Sequence, residues 1–264
     1  MEDFELHPPR HAFDPRDLAR AGDVWRLMQE AAAEGSSRRG WPPERYSEEG
    51  CAFVVRGMRV VHHRPLRRGE AVRARTWVST FRRGTFTDRQ IRLYGDTPLA
   101  SATQAWVHVR TRPDVRVARA SDALADAFPI EALEPDVELP AWEPAEGAAW
   151  ELRVEAWYTW MDPMGHANHP AYVDWCDEAL SRAVADRCAD PYALVPLAEE
   201  VTYRSAVVAP ERLRVDARLV GITASGAAVC RFDVVGADDR ICATATTIRD
   251  RADAPGALAR LLAT

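Results

Sequence analysis

At 264 residues, with 47% hydrophobic and 28% charged residues, the chain is long enough for two globular units of roughly 110–130 residues or for one large one. No apolar run approaches the roughly 20 residues of a membrane span, and the acidic start Met1-Glu2-Asp3-Phe4-Glu5 lacks the basic-then-apolar plan of a signal peptide, so a cytoplasmic protein is expected. The net charge of −6 divides unevenly: residues 1–119 hold 22 arginines against 15 acids, residues 120–264 hold 12 against 25, and lysine is absent. Arg73, Arg75, Arg82 and Arg83 alternate along strands and turns instead of forming a block or an RNP-like aromatic motif, which argues against a nucleic-acid surface. Cys51, Cys176, Cys188, Cys230 and Cys242 form no Cys-x-x-Cys pair and suit free, mostly buried thiols. No His, Cys or acid set has zinc-ligand spacing, so neither a metal nor a cofactor is expected.

In chain order, the spacing of Leu18, Ala21, Val24, Met28 and Ala31 predicts a helix over residues 17–34, ended by Gly35-Ser36-Ser37 and Pro42-Pro43. Four strands are predicted at 51–63, 71–81, 86–94 and 99–110, with Gly69, Gly84 and Gly95-Asp96 at their turns. His62 and His63 fall on the first of these and read as structural. Residues 120–147 are rich in Ala, Glu, Asp and Pro; Pro129, Pro135, Pro140 and Pro144 break regular structure, and the segment reads as a surface linker. The plan then repeats: a strand at 150–160, a helix over 170–187 with Tyr172, Trp175, Ala179 and Ala183 on one face, and strands at 197–207, 213–222, 227–235 and 240–249.

The repeat extends to residue identity. Laid 148 residues apart, Asp14-Pro15 falls on Asp162-Pro163, Ala19 on Ala167 and Glu30-Ala31 on Glu178-Ala179. The polar residues differ: Gly165, His166 and Asn168 of the second copy are Asp17, Leu18 and Arg20 in the first. A period of this length is a domain duplication. It predicts an N-terminal unit at 1–119, a linker at 120–147 and a C-terminal unit at 148–264. Each is an α+β unit whose curved antiparallel sheet wraps one central helix.

The second copy keeps a carboxylate, a glycine, an imidazole and an amide within seven residues ahead of a helix. The element Asp162, His166, Asn168, Tyr172 resembles that of the acyl-[acyl carrier protein] thioesterases, and the thioester hydrolysis this implies needs an attacking oxygen and donors for the oxyanion. A helix start offers unpaired N–H groups, and glycine permits close approach of the backbone to a carbonyl. Asp162 is the expected nucleophile or base, and His166 orients the thioester or protonates the leaving thiolate. Asn168 holds one of the two in place. Gly165 and His166 supply oxyanion N–H groups, and Tyr172, one turn on, lines the acyl slot. Structural roles compete: Asp-Pro is turn chemistry present in both copies, and Asn168 or His169 before Pro170 suits a helix cap, with His169 an exposed loop residue.

These features resemble the acyl-[acyl carrier protein] thioesterases, tandem double-hotdog enzymes. The resemblance lies in Ala21 to Ala32, in Val55-Arg56-Gly57-Met58-Arg59-Val60 and in Arg68-Gly69-Glu70-Ala71-Val72. It also covers Arg75-Thr76-Trp77-Val78, Ala100 to Val107, and the element Asp162, His166, Asn168, Tyr172. Met164 stands where the plant-type family has Asn, and Ala206-Val207 where it has Glu-Cys. Asp-x-x-Gly-His is closer to the hydroxybenzoyl-CoA thioesterase branch, with Glu199 or Glu200 as a possible spatial substitute for the missing Glu. The resemblance implies a double hotdog that hydrolyses a fatty acyl thioester. Its second unit would be catalytic, and the first would hold the acyl chain in an apolar pocket lined by residues such as Trp25 and Met28. The implied partner is an acidic acyl carrier protein, docked by Arg38, Arg39, Arg67, Arg68, Arg82 and Arg83. The fused pair implies a monomeric pseudo-dimer or a homodimer. Alternatives are an acyl-CoA thioesterase of the same fold, a non-catalytic acyl-binding protein, and a hotdog dehydratase. The dehydratase needs an Asp-x-Asn-x-x-His element or a lone His facing an acid across two subunits, and neither is visible in the sequence.

Overall fold

A computed structural model describes residues 3–133 and 137–263. Met1 and Glu2 of the acidic start, and Pro135 of the proline-rich segment, lie outside the described residues. The first unit contains β1 (Phe4–Leu6), α1 (Ala21–Ser37), α2 (Pro43–Glu48), β2 (Cys51–His62), β3 (Val72–Arg82), β4 (Phe86–Tyr94), β5 (Pro98–Arg110) and β6 (Arg116–Val117). Next come α3 (Asp122–Ala127) and β7 (Trp142–Pro144). The second unit contains β8 (Ala149–Ala156), α4 (Ala171–Ala185), β9 (Leu194–Tyr203), β10 (Glu211–Thr223), β11 (Ala228–Val235), β12 (Ile241–Arg251) and α5 (Leu258–Leu262).

The strands form one antiparallel sheet in the order β1-β3-β4-β5-β2-β9-β12-β11-β10-β7, with β6 on β5 and β8 on β10. The two units meet where β2 pairs with β9, Gly57 to Val61 opposite Thr202 to Ala198. Pairing the two edges removes a row of unmatched backbone groups that each unit alone would expose. This is the double hotdog: two copies of a sheet around a helix, sharing one sheet.

The alanine-rich α1 turns Val24, Trp25, Met28, Ala31 and Ala32 inward at helical spacing, and α4 turns in Tyr172, Trp175, Cys176, Ala179, Leu180 and Ala183. Both stripes belong to one core that crosses the seam. The helices touch through equivalent positions, since Arg26 pairs with Asp174, 148 residues on. Gly22 makes this approach possible: a Cβ there would lie 1.9 Å from Asp174 Oδ1. Gly22→Ala is expected to cost about 1–3 kcal/mol through overpacking, read by urea unfolding. No loss of stability would contradict so close a crossing.

Several boundaries differ from the sequence reading, among them the strand predicted at 197–207, which runs from Leu194 to Tyr203. Helix α1 starts at Ala21, not 17, because Asp17 takes φ +59° in a turn that no helix can include. The strand predicted at 150–160 ends at Ala156, and residues 158–160 form a 3-10 turn. The segment 120–147 is not a bare linker: the Ser121 hydroxyl caps α3, and Leu124 and Phe128 pack with Trp41, Cys51, Val78 and Ala120. No helix among the described residues is long and apolar enough to cross a membrane.

Candidate active site

The loop from Met161 to Asn168 is built by backbone chemistry. Asp162 N–H donates to the His166 carbonyl at 2.9 Å, and Gly165 N–H donates to the Asp162 carbonyl at 2.9 Å. Met164 N–H donates to Asp162 Oδ1 at 2.8 Å, closing an Asx turn. Gly165 needs φ +80°, while a Cβ there would meet nothing within 4 Å; the dihedral, not space, selects glycine. Ala167 N–H reaches the Val207 carbonyl at 2.8 Å and Asn168 N–H the Trp160 carbonyl at 2.8 Å, fixing the loop to its surroundings.

The first unit repeats all five of these bonds. Asp14 N–H donates to the Leu18 carbonyl, Arg16 N–H to Asp14 Oδ1, Asp17 N–H to the Asp14 carbonyl, Ala19 N–H to the Leu66 carbonyl and Arg20 N–H to the Ala12 carbonyl. One oxygen of each aspartate is therefore structural. The other differs: Asp14 Oδ2 accepts from Arg16 Nε, whereas Asp162 Oδ2 lies 3.2 Å from His166 Nδ1. The His166 side chain is 27% exposed and that of Asp162 14%, so the pair is reachable from outside.

The N–H inventory narrows the oxyanion candidates. Gly165, Ala167 and Asn168 spend their N–H groups within the scaffold, which leaves His166 N–H without a partner among the described residues. Its counterpart Leu18 N–H is bound to Asp14 Oδ1 at 3.1 Å. At the start of α4, Ala171 donates to Asn168, while Val173 and Asp174 donate to Pro170. Tyr172 N–H has no partner among the described residues, a donor that sequence reasoning missed although every helix start carries such orphans. Asn168 holds neither Asp162 nor His166, contrary to expectation: its Oδ1 is buried without a hydrogen-bond partner.

Behind the loop lies an aromatic wall. Tyr172 is 3% exposed, its ring 4.9 Å from Trp175 and 5.1 Å from Tyr203. His169, expected on an exposed loop, instead sits between Trp25 and Tyr203, 6.2 Å from each ring. Its carbonyl accepts from Tyr203 Oη at 2.8 Å, and its Nε2 is buried and unpartnered. Burial first, then the charges of Arg26 and His166, push the His169 imidazole down to about 3. Trp25 thus brings the first unit to the second unit's site, whereas Met28 is buried in the common core.

Trp25 also leads to a buried charge cluster. Its Nε1 donates to Glu199 Oε2 at 3.0 Å. Glu199 further meets His62 Nε2 at 2.8 Å and Arg249 Nη1, and Arg249 Nε donates to Asp177 at 2.8 Å. Burial alone would raise the Glu199 carboxyl, but His62 and Arg249, with the Trp25 bond, hold it down to about 2. Glu199 therefore cannot substitute for the missing family Glu, and Glu200 is spent on Arg59. The sequence did not reveal that a His faces an acid across the units, yet His62 and Glu199 do. They are in direct contact and fully buried, with no room between them for a substrate, so the pair does not make a dehydratase site.

The acid response follows from these groups. The folded His169 stays neutral to about pH 3, while its unfolded counterpart titrates near 6.5, so the unfolded chain takes the proton first. Stability is complete above pH 6.5 and declines as pH falls toward 3; Glu199 adds to the decline between 4.5 and 2. His169→Phe is expected to flatten the decline between pH 6.5 and 4.5 in urea unfolding. An unchanged slope there would count against a buried neutral imidazole.

The six docking arginines do not form one patch. Arg67 and Arg68 precede β3, and Arg82 and Arg83 end it, about 30 Å away at strand rise. Arg38, Arg39, Arg68 and Arg82 are already paired with Glu34, Glu131, Asp17 and Asp88. Arg67 and Arg83 have no ion pair among the described residues. No group of three or more His, Cys, Asp or Glu side chains gathers to hold a metal among the described residues.

Comparison with known proteins matches these observations. A model of the thioesterase-like superfamily matches residues 156–249, the unit that keeps the polar loop. No curated protein matches the chain in sequence. Among solved structures, a protein of Lactobacillus plantarum assigned as an oleoyl thioesterase superposes with a TM-score of 0.78 at 16% identity, over 94% of this chain and 95% of that one. A 12:0-ACP thioesterase from Umbellularia californica gives 0.75 at 17%, over 95% and 94%. An acyl-ACP thioesterase from Bacteroides thetaiotaomicron gives 0.74 at 14%, over 94% and 97%. Residues 156–249 thus match the thioesterase-like superfamily, in a chain whose whole length shares the tandem double-hotdog fold of these solved acyl-ACP thioesterases.

Proposed function

We propose that the protein hydrolyses fatty acyl thioesters at the Asp162–His166 pair, with the acyl group presented by an acyl carrier protein. The observation that supports this most is the contrast between two loops with the same five scaffold bonds, only one of which leaves a carboxylate oxygen beside an imidazole. Asp162 generates the attacking oxygen, as nucleophile or as base on water. His166 turns Nδ1 to Asp162 and protonates the departing thiolate through its other nitrogen. The N–H groups of His166 and Tyr172, without partners among the described residues and the latter at the positive end of α4, meet the negative charge that develops on the carbonyl oxygen.

The carrier rests on the shared fold with proteins named acyl-ACP thioesterases and on the basic first unit, where two of the six expected docking arginines, Arg67 and Arg83, have no ion pair among the described residues. The test is turnover of one acyl group on carrier protein and on CoA, each at low and high salt. A higher kcat/KM on the carrier that falls with ionic strength supports docking by charge. Equal rates, or rates insensitive to salt, assign the free CoA thioester instead.

A further inference from the structure

Inward from the Asp162–His166 pair, the interior changes from aromatic to ionic within a few side chains. His169 follows His166 by three residues in the chain, Trp25 stands against His169, and Glu199 accepts from the Trp25 indole N–H. Beyond Glu199 come His62 and Arg249, with Glu199 at 0% and Arg249 at 1% exposure. Two pockets lie away from these groups: one, of about 300 Å³ between β1 and the turn at Gly69, includes none of them. The other, beside Arg89, has room for about one water and also lies elsewhere. Resting on the thioesterase reading above, we propose that Trp25, locked by its hydrogen bond to Glu199, is the blind end of the acyl slot and confines the enzyme to short-chain acyl groups.

Three features close the path. The Glu199 carboxylate is engaged on both oxygens, by His62 and Arg249 on one and by His62 and Trp25 on the other. A methylene chain that displaced Trp25 would strip a hydrogen bond from a buried charge and return none. The chain could not pass between the helices either, because Gly22 lies against Asp174 and the Arg26–Asp174 pair bridges α1 and α4. On its other side α1 presents Met28 and Ala31, both at 0% exposure against the sheet. A long acyl tail would need Trp25 to swing away, at the expense of the charge cluster.

The test is a panel of butyryl, hexanoyl, octanoyl, lauroyl and palmitoyl thioesters, each on acyl carrier protein and on CoA, run with wild type, Trp25→Phe and Trp25→Ala. Wild type is expected to prefer butyryl or hexanoyl, with kcat/KM for lauroyl lower by at least about tenfold. Trp25→Ala is expected to raise the lauroyl-to-butyryl ratio by at least about tenfold, and Trp25→Phe to raise it less. A ratio within one enzyme does not depend on the fraction folded, so mere destabilisation leaves it unmoved. Binding of non-hydrolysable thioether analogues of the same lengths, by calorimetry, should give the same ranking without turnover. Wild type that binds or turns over palmitoyl as well as butyryl, or an unchanged ratio in Trp25→Ala, overturns the proposal. Ranked binding with no turnover of any length would instead remove the hydrolase reading and leave the slot.

Discussion

Asp162→Asn is expected to lower kcat/KM for thioester hydrolysis by about 10²–10⁴-fold while leaving the fold intact. The substitution separates the two duties of this side chain. Asparagine keeps an oxygen that accepts from Met164 N–H, so the Asx turn survives, as do the backbone bonds from Asp162 to His166 and from Gly165 to Asp162. What disappears is the negative charge on the oxygen facing His166. An amide neither attacks a thioester nor removes a proton from water. His166→Leu installs the first unit's residue and is expected to cost up to about 10²-fold, because the loop tolerates leucine at the equivalent position. Full activity in Asp162→Asn with an unchanged melting temperature would place the chemistry elsewhere.

Glu199→Ala is expected to destabilise the protein by about 3–5 kcal/mol, the largest stability effect of any single change considered. The carboxylate is the shared acceptor of Trp25, His62 and Arg249, which come from α1, β2 and β12. Removing it leaves Arg249 with only Asp177 as counter-ion in a site of 1% exposure, where its Nη2 already lacks a partner. Glu199→Gln keeps the shape and part of the hydrogen bonding and should cost less. Replacing His62, Glu199 and Arg249 together with apolar residues of similar volume is expected to be far milder than Glu199→Ala, since no charge is then stranded. Urea unfolding of the three variants measures this. A Glu199→Ala loss below about 1 kcal/mol would mean that the cluster is hydrated and not buried as the geometry shows.

The outline of the fold is legible because duplication repeats it. The Asp-Pro turn survives in both units, and each helix shows its apolar stripe, so the α+β plan and the second-unit loop follow from local pattern. What escapes is whatever depends on contacts distant in sequence. His169 before Pro170 reads locally as an exposed loop residue, but its neighbour Trp25 comes from the other unit, 144 residues earlier. His62 and Glu199 are 137 positions apart, and nothing in either strand's pattern announces that they meet. Asn168 reads as a positioning group because amides commonly are, whereas its oxygen is left unpaired. Leu124 and Phe128 are single apolar residues in a proline-rich stretch, too sparse for a periodic signal, yet they seat that stretch on the first unit. Asp17 enters a left-handed turn that glycine occupies in the second copy, and so α1 begins later than its apolar spacing suggests.

The division of labour between the two copies is tested most directly by assaying Asp14→Asn and Asp162→Asn side by side on one acyl thioester. Both variants keep the Asx turn, and Asp14→Asn also loses the ion pair with Arg16, so kcat/KM is compared per folded enzyme, with the folded fraction read from urea unfolding. The account predicts near wild-type kcat/KM for Asp14→Asn and a loss of at least about 10²-fold for Asp162→Asn. Equal losses, or a loss confined to Asp14→Asn, would contradict a catalytic site in the second unit alone.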